Sequence, residues 1–178
     1  MTQVMSLRQK LSSIVRALWL DADDVERLLG RGWAERLRQQ IAQAEADSSA
    51  EIRLCVEAAL PLRDLLQGGS ADFDALVRRR AIGLFGELGV WDTEANTGVL
   101  IYVLLGEKAV EIVADRGLRG IASAQWEALA QALAQDLRAG LKEKALATAM
   151  ARCHQLLGTL NLPSDSAGNE LPDAPQVR

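Results

Sequence analysis

Residues 98–105 form the longest apolar run of the chain, and both parities of that run are apolar. A strand of this kind has to be covered on both faces, which calls for a sheet with helices on either side of it. Gly106 and Glu107 follow, a pair that fits a two-residue turn of type II′ with glycine first. Residues 109–114 then return as an antiparallel partner, and the pattern stops at Asp115, Arg116 and Gly117. Ahead of the run lies a polar turn with Asp92, Glu94 and Asn96. The hairpin thus sets ionisable residues from both of its ends at one edge of the sheet. It indicates a fold and a place for chemistry without naming a reaction.

The rest of the chain supplies the cover. In 51–59, Ile52, Leu54, Val56 and Ala58 face one way and Arg53, Cys55 and Glu57 the other, the period of a strand. Pro61 ends it. A helix intervenes before the strand at 99–105, which favours a parallel pair with a right-handed crossover, and hence a mixed sheet. Apolar residues at helical spacing predict helices over 6–20, 21–29, 33–46, 71–88, 122–139 and 141–158. Asp21 caps the second of these, and Gly140 breaks the last two apart. Residues 62–67 suit either extended chain or a helical turn. Beyond Pro163 the composition turns to Ser, Asp, Asn, Gly and Pro, which predicts disorder. The expected organisation is an N-terminal helical extension over 1–32, an α/β domain over 33–160 and a disordered tail over 161–178.

Charge and composition exclude several functions. The net charge of −4 offers no field for nucleic acid, so no nucleic-acid partner is expected. Arg78, Arg79 and Arg80 sit within a helical pattern and are expected to form a solvated face, with a protein or anionic-surface contact as the alternative. Cys55 and Cys153 are far apart and are expected to pack as small apolar residues. His154 beside Cys153 cannot close a zinc site, because adjacent helix positions point different ways. The first ten residues show no signal-peptide pattern, and the run at 98–105 is too short to cross a bilayer as a helix. The expectation is a soluble, cytoplasmic protein with no integral membrane segment. Residues 1–32 carry their own apolar stripe, Trp19 included. It is expected to pack on the domain or on its neighbour, and otherwise marks a partner or dimer surface.

The ordered set of Ser49-Ala50-Glu51-Ile52, Gly89-Val90, Asn96-Thr97-Gly98-Val99-Leu100 and Asp115-Arg116-Gly117-Leu118 resembles the TPM domain family over about 35–158. The family includes a plant thylakoid phosphatase-like protein and many bacterial membrane-associated proteins. The resemblance implies an α/β fold: a three-layer-like sandwich with a mixed, roughly four-stranded sheet and helices on both faces, here with extra N-terminal helices. It also implies either acid phosphatase activity with a divalent cation or an accessory role in assembly. This chain departs from the family's glycine-x-glycine-leucine-glutamate motif, because Arg119 stands at the glutamate position.

Asp92, Asn96 and Asp115 come from loops at one sheet edge and are candidate oxygen ligands for Ca2+ or Mg2+. Glu51, matching a family glutamate, opens the parallel strand beside the Asn96 loop and is the fourth candidate. Arg116 and Arg119 are candidate phosphate binders, and with a metal they would suffice for phosphate-ester hydrolysis. The alternative is that Asp92 and Asn96 are turn and capping residues and that the arginines pair with nearby acids. No nucleophile motif is present: there is no cysteine-x5-arginine loop, glycine-rich phosphate cradle or Ser-His-Asp set. The favoured expectation is an accessory or interaction module with a divalent cation as an added ligand, and the alternative is a metal-dependent acid phosphatase. The expected partner is a protein, with membrane-associated proteins among the candidates.

Overall fold

The computed structural model describes residues 6–45, 50–67, 72–160, 162 and 170–178. At its centre β1 (Glu51–Glu57) and β2 (Gly98–Leu104) run parallel, with Glu51 opposite Gly98 and Glu57 opposite Leu104. β3 (Ala109–Ala114) lies antiparallel beside β2, and β4 (Gln176–Val177) lies parallel beside β1, giving the order β3-β2-β1-β4. The protein is therefore an α/β fold on a mixed, four-stranded open sheet; the patterning predicts its mixed character, and the family resemblance its four strands.

Every residue of β1 and β2 is buried. One face of the sheet, with Ile52, Leu54, Val56, Val99, Ile101 and Val103, joins a core with α2 (Ala22–Leu29), α3 (Trp33–Glu45), α6 (Ser123–Arg138) and α7 (Lys142–Leu157). The other, with Cys55, Leu100, Tyr102 and Leu104, joins a second core with α4 (Leu62–Gln67) and α5 (Phe73–Glu87). Ile14 and Ala17 of α1 (Leu7–Trp19) pack against this second core. Capping boxes at Ser6 and Asp21 satisfy main-chain donors at the starts of α1 and α2. Arg36 of α3 grips Glu143 of α7 through two bonds of 2.6 Å.

The structure settles one open expectation and departs from the sequence pattern in two places. The 62–67 segment, open between two conformations, is helical. The hairpin register ends at Leu104 and Ala109, so the connection holds four residues rather than a two-residue turn. Its left-handed position is Lys108, with φ of 52°. Gly106 serves close approach instead, since a Cβ there would lie 2.8 Å from the Ala58 carbonyl oxygen.

The second departure is the tail. Of the stretch expected to be disordered, 161 and 163–169 lie outside the described residues, while 170–178 lie along β1. Leu171 enters the second core. The Arg53 guanidinium donates to the Pro172 and Ala174 carbonyls, the latter at 2.8 Å, and Glu51 accepts from the Glu170 and Leu171 amides at 3.1 Å each. Composition predicts solvation for these residues, but two buried charges on β1 recruit their main chain. Val25 and Leu29 of α2, within the expected N-terminal extension, belong to the first core.

Candidate functional site at the open edge of the sheet

The turn before β2 is built by Thr93. Its carbonyl accepts from Asn96 N–H at 3.1 Å and its hydroxyl from Thr97 N–H at 3.0 Å. Asn96 takes the left-handed conformation, φ 54°, which asparagine tolerates better than most residues. Across from it the Asp115 carboxylate caps the Arg116 amide at 2.6 Å and opens a short 3-10 turn, Arg116–Leu118. Gly117 N–H donates to the Asn96 carbonyl at 2.9 Å, and a Cβ on Gly117 would stand 2.5 Å from that oxygen. Glycine is thus required where the two ends of the hairpin meet.

The sequence-chosen residues divide accordingly. Asn96, Asp115 and Arg116 come together, and the Arg116 guanidinium holds the Asn96 side-chain oxygen through bonds of 3.0 and 2.7 Å. Asp92 is exposed on the same turn. Both oxygens of Glu51 receive tail amides. Arg119 is exposed, just past the 3-10 turn. Among the described residues no group of three or more His, Cys, Asp or Glu side chains is arranged to hold a metal ion.

A groove of about 910 Å³ runs from this turn along β3, between α6 on one side and the start of α5 on the other. Its walls include Val77 and Arg78 of α5, and Trp126, Ala130, Ala134 and Arg138 of α6; Arg116 and Arg119 lie at its Asp115 end. β3 forms its floor and is an edge strand. Asp115 N–H donates to the Gly98 carbonyl at 2.9 Å. Antiparallel pairs alternate, so Ala109, Glu111 and Val113 turn their main-chain groups to β2 as well. Val110, Ile112 and Ala114 turn theirs into the groove. Arg78 guards this edge by pairing with Glu111 at 2.6 Å and donating to the Ile112 carbonyl at 3.0 Å.

Sequence reading missed this edge guard and a buried polar cluster on the same helix. Arg78 to Arg80 were expected to form a solvated face, yet Arg80 binds the buried Glu57 carboxylate at 2.5 Å, and Tyr102 donates to the same group at 2.6 Å. Burial, with Glu57 adjacent, pushes the Tyr102 phenol well above its usual range and the Cys55 thiol up to about 12. Burial opposes the charge on Arg80, and the Glu57 carboxylate outweighs it, so its pKa is raised. The available signal was the pairing of Glu57 and Tyr102 on the same parity of two parallel strands.

The TPM domain model matches residues 22–156. The chain belongs to the TPM domain family. The TPM match begins at α2 and ends in α7, so it encloses β1, β2, β3 and the groove but leaves out α1 and β4. A similar fold is seen in the NMR structure of BA42 protein from the psychrophilic bacterium Bizionia argentinensis. That structure has a TM-score of 0.65 at 23% identity, covering 83% of this chain and 94% of the other. No curated protein matches the chain. Among the described residues of this TPM protein, no helix is long and apolar enough to cross a membrane.

Proposed function

We propose that this TPM protein is a cytoplasmic accessory module that takes an extended segment of a protein partner along β3. One observation carries this reading: the outward main-chain groups of Val110 and Ala114 and the Ile112 amide form the floor of the groove, and a paired strand would take the Ile112 carbonyl from Arg78. An added strand is the natural complement of such a row, and the apolar groups of Val77, Trp126 and Ala130 receive alternate side chains. The test places a photo-crosslinking residue at Gln131 and compares partner capture by the parent and by Val110→Pro. Proline there removes an outward donor and leaves the bonds to β2 intact. Capture by the proline variant should fall roughly tenfold with unchanged circular dichroism. Equal capture by both would overturn the reading.

A second reading has one observation in its favour. Asp115 Oδ2 is buried without a hydrogen-bond partner, beside the Asn96 turn. On this reading Ca2+ or Mg2+ binds at Asp115 and Asn96, and metal-dependent acid phosphatase activity would extend it, with Arg116 and Arg119 meeting the phosphate. Calorimetric titration with each cation should then give binding that Asp115→Asn abolishes. A flat titration of the parent protein would end both the ion site and the phosphatase built on it.

A further inference from the structure

We propose that α1 is a docking surface for an anionic lipid interface. Leu11, Val15, Leu18 and Trp19 are 55, 53, 65 and 80% exposed. Their spacing puts them on one side of the helix, while Ser13 is buried and Ile14 and Ala17 pack inward on the other. The helix is therefore apolar on a face that the domain does not cover. Trp19, at its C-terminal end, is the residue type enriched where hydrocarbon meets water.

Charge decides the occupant. Arg8 and Arg16 border the exposed stripe, while Lys10 lies on the inward side with Ile14 and Ala17, and α1 carries no aspartate or glutamate in a chain whose net charge is −4. A second copy would bring two basic sets together, which disfavours self-association through this stripe. An anionic surface complements the basic residues while its acyl region takes the leucines and the tryptophan, the pattern of a helix lying in a membrane interface. Each basic residue near such a surface adds roughly fivefold to partitioning. The surface lies outside the β3 groove, and this inference does not depend on the groove's role.

The test is sedimentation of the full chain with phosphatidylcholine vesicles, with and without phosphatidylglycerol. Binding is expected to the phosphatidylglycerol vesicles and to weaken as salt rises. The exposed-site double variant Leu11→Gln/Leu18→Gln should keep its circular dichroism and lose at least about tenfold in partitioning. Tryptophan emission should shift to the blue on binding, and this shift should vanish in Trp19→Phe. No sedimentation with the anionic vesicles overturns the proposal. So does equal binding to both lipids, or binding undiminished in the double variant.

Discussion

Glu107 lies in the loop between β2 and β3, its side chain 4% exposed, with both carboxylate oxygens lacking hydrogen bonds and Arg16 of α1 at 4.0 Å. Burial raises its pKa, and the arginine offsets this only in part. A carboxyl whose folded pKa lies above its unfolded value favours the fold while protonated. That contribution is fully present below the ordinary value of 4.5 and is lost as pH rises through the folded value. Glu107→Gln should therefore be more stable than the parent at neutral pH, by roughly 1 kcal/mol, with the gain shrinking as pH falls through the raised folded value and gone below the ordinary glutamate value. Urea unfolding at the two pH values checks this; no gain at neutral pH would mean that the carboxylate is adequately solvated. Single residues were the least legible scale of the sequence. Glu51, Arg80 and Glu107 look alike as acids or bases in a string, and only the elements stacked over them decide which are buried.

At the scale of elements, legibility followed local periodicity. The runs at 51–57 and 98–104 declare their strands because alternation, or apolarity on both parities, is carried by neighbours in sequence. β4 has no such signal: two residues are too few for a period, and what holds them comes from Glu51, Arg53 and the edge of β1, more than a hundred residues earlier. Deleting 170–178 removes the tail partners of both buried charges and opens that edge. The loss should be about 3 kcal/mol or more, the usual cost of breaking up a buried charged arrangement. Arg53→Met should then cost much less in the truncated chain than in the full chain, because the carbonyls that Arg53 serves are gone. Urea midpoints for the four chains give the coupling directly. Equal costs in both backgrounds would mean that Arg53 draws its stability from somewhere other than the tail.

At the scale of the molecule, two cores share one sheet, and the strands that join them are buried on both sides. β1 sends Ile52, Leu54 and Val56 into one core and Cys55 into the other, and β2 divides its residues in the same way. Neither layer of helices can leave without stripping a face from both strands. This sharing was legible from residues 98–105 alone, whereas the open groove beside β3 was not, since it depends on where α5 and α6 come to rest. Ile41→Ala in the first core and Leu84→Ala in the second remove side chains that are wholly buried. Each should cost about 2–5 kcal/mol. More tellingly, each should shift the same single transition, with far-ultraviolet circular dichroism and tryptophan fluorescence lost together. If Leu84→Ala instead produced an early step that left the fluorescence of Trp33 and Trp126 unchanged, the second layer would be unfolding by itself. The doubly buried strands make that outcome costly, because Leu100, Tyr102 and Leu104 would then face water from a strand whose other side remained packed.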